Sequence, residues 1–124
     1  MINWEEFNSM YQYFGNDLIA QVIDIFVEGD KDDNPPAPSY DERMIHLKRN
    51  VDEKDFPELF RNACSMKGTI ANFYDRDSYE LAYKLQDMGD SRTDTGQTEE
   101  YEKFKIAADK LVTELKEYRK TLTA

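Results

Sequence analysis

The chain has 124 residues, of which 40% are hydrophobic, and its 26 acidic and 16 basic side chains give a formal net charge of −10. A chain of this length and composition can bury a core of its own, so we predict a single domain over residues 1–124. The negative charge disfavours nucleic acid and anionic membranes as partners, and the single cysteine excludes an internal disulfide and a thiolate zinc site made by this chain alone.

We expect neither a membrane helix nor a secretion signal in this sequence. No apolar run reaches the roughly 18 residues that a membrane helix needs. The first residues, "MINWEEFNSMYQYF", are mixed and acidic, whereas a secretory signal begins with positive charge. We therefore expect a cytoplasmic protein, and we expect neither a cofactor nor a metal.

Two helices are predicted before a proline-rich break. Asn3 can cap a short first helix, which Gly15 is expected to end. A second helix is predicted over 17–28, and its apolar residues cover so much of the circumference that burial on more than one side is expected. The stretch "GDKDDNPPAPS", residues 29–39, contains adjacent prolines and cannot continue the helix.

The third helix, 40–51, is predicted from a capping signal and a periodic apolar face. Ser39 followed by Glu42 has the spacing of a capping box. One face then carries the apolar side chains Tyr40, Met44, Leu47 and Val51. This spacing is typical of a helix that buries one side.

The fourth helix, 56–73, contains the least expected residue. Asp55 and Glu58 repeat the capping spacing, yet Gly68 stands inside the helix, where glycine costs about 1 kcal/mol relative to alanine. Two explanations are open: Gly68 permits close packing of another helix, or it leaves the helix backbone accessible to a partner.

Helical geometry separates the two sides of this fourth helix. With Ala63 at the centre of the core face, Cys64 lies at about 100°, Gly68 at about 140° and Arg61 at about 160°. Lys67 lies nearer the core, with a stem long enough to place its ammonium beside the glycine. The residues predicted to face the core are Phe56, Leu59, Phe60, Met66 and Ile70.

Two further helices complete the chain. Asp77 and Glu80 are expected to start a fifth helix over 77–88, which Gly89 is expected to close. The last helix, 98–120, carries a single apolar stripe. Because helices with short connections dominate and no alternating strand pattern appears, we predict an all-α, up-and-down four-helix bundle with additional N-terminal helices.

The stretch "ACSMKGTIANF" resembles the signature of histidine-containing phosphotransfer (HPt) domains. That signature reads Ala, His, any residue, Leu, Lys, Gly, followed by small residues and an aromatic or aliphatic residue. The similarity extends to "YFGNDLIAQVIDIFVEG", "DFPELFRNA" and "ELAYKLQDMG", which are similar to the helices around that signature. The residues that fit the signature itself are Ala63, Met66, Lys67, Gly68, Thr69 and Ala71.

The resemblance implies a bundle of HPt type and a surface that binds a receiver domain. In the family, a histidine at the position of Cys64 carries the phosphoryl group. A lysine at the position of Lys67 helps to neutralise the phosphate, and a glycine at the position of Gly68 leaves room for the receiver. This chain keeps the lysine and the glycine but lacks the histidine. The receiver-binding surface that the resemblance implies comprises Arg61, Cys64, Lys67, Gly68 and Ala71.

We therefore expect a binding module rather than an enzyme. Its partner would be the receiver domain of a response regulator or of a hybrid histidine kinase, which it would bind without relaying phosphate. Two alternatives remain: phosphotransfer through Cys64, since a thiolate is a good nucleophile, and a helical scaffold that no longer binds receivers. Free thiols are mostly protonated at pH 7.

Three other side chains are of a type that could serve a function. His46 is the only histidine, and its position opposite the apolar face predicts an ordinary exposed residue rather than a phosphate acceptor. Tyr79 and Tyr83 lie opposite the predicted buried face of the fifth helix. They are expected to be solvent-facing aromatics, with an interface as the alternative.

Overall fold

The computed structural model describes residues 1–122, so the last two residues of the predicted domain, 123 and 124, lie outside the described residues. Over the described part the regular secondary structure is helical, apart from one isolated bridge that pairs Asp30 with Ala37 across the proline-rich break. The helices are α1 (Trp4–Tyr11), α2 (Asn16–Glu28), α3 (Tyr40–Asp52), α4 (Phe56–Ile70), α5 (Arg76–Asp90) and α6 (Gln97–Leu122), with a 3₁₀ turn at Ala71–Phe73 after α4.

Helices α3 to α6 pack in a ring. Each packs against its neighbour in the chain, α6 packs back against α3, and α2 lies outside the ring on α6 and α3. The all-α prediction is confirmed. The fully buried side chains at the centre include Leu47, Leu59, Ala63, Met66, Ile70, Leu85, Phe104, Ala108, Leu111 and Leu115.

The predicted helix starts are confirmed at three caps. The side chains of Asn3, Ser39 and Asp55 each accept a hydrogen bond from a backbone N–H three residues further on. At Ser39 the glutamate three residues later also bonds back to the cap backbone, which completes the predicted capping box. These contacts give a hydrogen-bond acceptor to backbone N–H groups of the first helical turn, which have no partner inside the helix.

The start predicted for α5 at Asp77 is wrong. The helix begins at Arg76, after Asp75, whose side chain makes no capping bond to the helix backbone. Asp75 is buried, and its carboxylate accepts from the Ser78 hydroxyl at 2.9 Å and from the ammonium of Met1 at 3.0 Å. The carboxylate therefore bonds to a side-chain hydroxyl and to the chain's ammonium instead of to a helix N–H.

Two glycines do not end the helices that they were expected to end. Helix α1 ends at Tyr11, and Gly15 is instead the N-cap of α2. Gly89 lies inside α5 and is buried against α4, where an added Cβ would lie 2.6 Å from the backbone nitrogen of Phe60. Gly89 therefore serves close helix packing.

Two predictions of burial are also wrong. Helix α2 is not buried on more than one side, because it lies outside the ring and leaves Leu18 44% and Ile25 39% exposed. Phe60 was expected in the core but is 38% exposed. The backbone of α5 at Gly89 approaches the Phe60 backbone itself, so the ring lies at the edge of the contact between α4 and α5.

The adjacent pair Leu59 and Phe60 tests the orientation of α4. Leu59→Ala removes a fully buried side chain and should lower the free energy of unfolding by about 2–5 kcal/mol. Phe60→Ala should cost clearly less, about 1 kcal/mol, because its ring is already partly solvated. Urea unfolding of both variants measures the difference, and equal losses would contradict the orientation described here.

Candidate functional site

Helix α4 and the turn after it carry all the predicted site residues. The helix is capped by Asp55, has a proline in its first turn and runs without interruption to Ile70. Cys64 lies in the middle of it, far from the N-terminal end where the helix dipole favours a thiolate. Arg61, Lys67 and Gly68 also lie on α4, and Ala71 begins the 3₁₀ turn.

These residues form one surface, which we call the α4 surface: Arg61, Cys64, Lys67, Gly68 and Ala71. All are exposed except Lys67, which is half-buried. Their exposure follows from the opposite side of the helix, where the side chains at positions 59, 63, 66 and 70 are fully buried. A helix anchored along that stripe presents the remaining residues to solvent.

Gly68 lies in open space. A Cβ built on it meets no atom within 4 Å outside its own helix backbone. The explanation that Gly68 permits close packing of another helix is therefore wrong. Close packing is the role of Gly89, where the same addition meets α4 backbone at 2.6 Å.

The Cys64 thiol is exposed, and within residues 1–122 it has no hydrogen-bonding partner that would act as a base. Its neighbour Ser65 accepts a hydrogen bond from Nη1 of Arg43 at 2.9 Å. Burial lowers the pKa of the Arg43 guanidinium, which nevertheless stays charged because arginine is not deprotonated in proteins. Arg61, one turn before Cys64, pairs with Glu58 at 2.8 Å.

The ammonium of Lys67 leans towards α5. Its Nζ lies 4.5 Å from the centroid of the Tyr83 ring, a distance typical of a cation–π contact. The sequence indicated a lysine beside the glycine but did not identify Tyr83 as its partner, because that contact depends on how α4 and α5 pack. Tyr83 is exposed as expected, at 47%, whereas Tyr79 is half-buried against the core.

A shallow groove adjoins the α4 surface on the side of α5. Phe60, Arg61 and Cys64 line it from α4, and Gly89 and Arg92 line it from the end of α5 and the turn that follows. Of these residues, sequence reasoning assigned only Arg61 and Cys64 to a site. Phe60 was placed in the core and Gly89 at a helix end, so no local pattern pointed to the groove.

His46 is half-buried on α3, not exposed as predicted. His46 is not part of the α4 surface. The described structure thus brings no histidine to the position where the HPt resemblance requires one.

Within 1–122, no group of three or more His, Cys, Asp or Glu side chains is placed to hold a metal ion. No helix in this range is both long enough and apolar enough to cross a membrane.

Comparison of the chain with protein-family models, with curated proteins and with solved structures returned no match. The case for a functional site therefore rests on the residues of α4 and on their geometry.

The two helix-interior glycines should respond oppositely to the same change. Gly68→Ala should raise the free energy of unfolding by about 0.5–1 kcal/mol, because it replaces a poor helix former where there is space. Gly89→Ala should lower it by about 1–3 kcal/mol, because the methyl group meets α4 backbone. Thermal or urea unfolding measures both changes, and a destabilising Gly68→Ala would contradict the open site.

Proposed function

We propose that this protein is an HPt-like signalling module that binds receiver domains of response regulators or hybrid histidine kinases without relaying phosphate. The proposal includes a bundle of HPt type, formed by α3 to α6, to which α1 and α2 are added. The observation that carries it is the open space at Gly68, one turn from the exposed Cys64, within the sequence that resembles the HPt signature.

The cost of Gly68 supports a binding role for the surface. A glycine inside a helix lowers stability by about 1 kcal/mol relative to alanine. No neighbouring helix uses the space that this glycine leaves, so packing does not offset the cost. Close approach of a partner to the helix backbone is the other common reason for glycine at such a position.

The chemistry of Cys64 supports binding without transfer. Its thiol lies exposed in mid-helix, far from the helix N-terminus, where the helix dipole would favour a thiolate. A thiol is also shorter than an imidazole, so the sulfur stops short of the position that the family's histidine nitrogen reaches. Lys67, which in the family meets the phosphate, here lies over the Tyr83 ring.

A binding screen tests the docking role. The wild-type protein, Gly68→Gln and Thr113→Gln would be titrated with purified receiver domains from the same organism. Thr113 is exposed on α6 and is not part of the α4 surface, so it controls for the added bulk. We expect wild type and Thr113→Gln to bind alike, and we expect Gly68→Gln to lose binding while it melts at or above the wild-type temperature.

The outcomes of the screen separate the alternatives. Absence of any receiver binding by the wild type would leave a helical scaffold as the function. Equal binding by all three proteins would place the docking surface elsewhere. Lys67→Ala should weaken binding less than Gly68→Gln does, because exposed ion pairs contribute little.

A phosphotransfer assay tests the chemistry. Incubation with a receiver that carries a labelled aspartyl phosphate should leave no stable label on this protein, because the acceptor position holds a thiol. Transfer would require the Cys64 sulfur to attack phosphorus, forming an S–P bond as the O–P bond to the aspartate breaks and its carboxylate leaves. Label on the wild type that disappears in Cys64→Ser would establish that reaction and contradict the proposal. Label gained by Cys64→His would instead indicate that the rest of the site is intact.

A further inference from the structure

Arg43 carries a charge that the rest of the described chain does not neutralise. It lies half-buried on α3, and its Nη1 donates to the hydroxyl of Ser65 on α4 at 2.9 Å. Its Nε is fully buried without a hydrogen-bonding partner, and Arg43 belongs to no ion pair within residues 1–122. Burial of a charge is costly unless an opposite charge compensates it, so this guanidinium favours an anion beside it.

The buried carboxylates of the described chain are in a different state, because each has a cation beside it. Asp75 lies 3.0 Å from the Met1 ammonium, and Glu100 lies 3.0 Å from the ammonium of Lys84. For Arg43, by contrast, burial lowers the pKa and no carboxylate opposes that change. Arg43 is therefore the exception to the rule that this chain follows at its other buried charges.

The residues around Arg43 and Ser65 leave this positive charge unopposed. Glu42 bonds back to the N-cap residue of α3, and Glu58 pairs with Arg61 at 2.8 Å. No acidic residue stands three or four positions before or after Arg43 or Ser65, where helix neighbours lie side by side. In a chain of 26 acidic and 16 basic side chains, an anion from outside the chain is the partner that this position lacks.

The outer end of the guanidinium is accessible, although its inner end is sealed. Nε is shielded from water, whereas the bond from Nη1 to Ser65 lies at an exposed position. The Ser65 hydroxyl accepts this bond and donates none within residues 1–122, so its own proton remains available. Because Ser65 directly follows Cys64, these donors adjoin the α4 surface on the side of α3.

We propose that Arg43 and Ser65 form an oxyanion site that takes a phosphoryl group. This site goes beyond the proposed function, because both residues lie outside the α4 surface and the site does not require a receiver. Arginine binds phosphate through parallel N–H···O bonds, and a phosphoryl group of about −1.5 to −2 charge neutralises the guanidinium more fully than a carboxylate does. The phosphoryl group comes from free phosphate or from the aspartyl phosphate of a docked receiver.

Inorganic phosphate tests the site without a receiver. Wild type, Arg43→Gln and Arg49→Gln would be titrated with sodium phosphate or, at equal ionic strength, with sodium chloride, while NMR follows the arginine Nε–H signals. Arg49 is the matched control, because it is an exposed arginine of the same helix without an ion pair in the described chain. The Arg43 signal is the one that Arg43→Gln lacks.

We expect phosphate, but not chloride, to shift the Arg43 signal to saturation in the wild type and in Arg49→Gln. Ser65→Ala should weaken this phosphate binding about fivefold, because the hydroxyl donor is lost. Each protein is compared with itself in the two salts, so a change in its stability does not imitate the result.

A second arm identifies the source of the phosphoryl group and rests on the proposed function. A receiver that the wild type binds would be titrated with and without its aspartyl phosphate. If the receiver supplies the group, wild type and Arg49→Gln should bind the phosphorylated form about tenfold more tightly, and Arg43→Gln should bind both forms alike. Equal binding of both forms by the wild type, with the Arg43 signal shifted by phosphate, would identify free phosphate as the source.

The two arms separate failure of the site from failure of the proposed function. If neither phosphate nor receiver phosphorylation has an effect that depends on Arg43, the oxyanion site does not exist. An equal shift of the Arg43 signal by chloride would also contradict the site, because it would show a general response to salt. If the wild type binds no receiver, the proposed function is wrong, and the phosphate titration alone decides the site.

Discussion

Burial of one stripe of α4 is the constraint on which the candidate site depends. Leu59, Ala63, Met66 and Ile70 are fully buried between the neighbouring helices. Rotation of the helix would move these side chains out of the core. It would expose apolar area or open a cavity, and both lower the free energy of unfolding. The orientation of α4 is therefore set by its core side, and the exposure of Cys64 and Gly68 follows from it.

The two glycines inside helices illustrate how the same residue serves opposite purposes. Gly89 is buried, and its missing Cβ allows α5 to approach the α4 backbone. Gly68 is open to solvent, and its missing Cβ brings no helix closer. One glycine builds the bundle, and the other leaves part of the helix backbone uncovered. Both lie within reach of the surface that surrounds Cys64, so packing and exposure together shape the proposed docking site.

The sequence predicted features that depend on a few neighbouring residues. The caps at Asn3, Ser39 and Asp55 involve contacts within a single turn, so their spacing was sufficient to locate them. The buried stripe of α4 was likewise predicted from helical periodicity, because Ala63 and its apolar neighbours repeat with the period of the helix.

The errors arose where distant parts of the chain meet. Gly89 looked like a helix end because nothing local shows that α4 lies against it. By helical periodicity Phe60 belongs to the core side of α4. In the structure the α5 backbone at Gly89 lies against the Phe60 backbone, and the Phe60 ring remains partly exposed. The pairing of Lys67 with Tyr83 and the inward turn of Asp75 also depend on tertiary contacts. The groove was missed for this reason, since each of its walls comes from a different helix.

The α4 surface combines an exposed thiol, an open glycine and two cations, of which Arg61 pairs with Glu58 and Lys67 lies over the Tyr83 ring. An HPt-like module without its histidine would compete with phosphate-relaying partners for the same receivers, because docking depends on shape and charge and does not require the nucleophile. In the proposed complex the cysteine would occupy the centre of the contact without taking part in chemistry. Its position makes it a built-in probe, since the chain has no other thiol.

Protection of that thiol tests the central claim most directly. The rate of Cys64 alkylation by iodoacetamide would be followed by mass spectrometry, with and without a saturating concentration of a receiver domain that binds the protein. If the receiver docks on the α4 surface, alkylation of Cys64 should slow strongly and recover when the receiver is diluted. A receiver that binds with undiminished alkylation of Cys64 would contradict the account, because the docking surface would then lie elsewhere on the bundle.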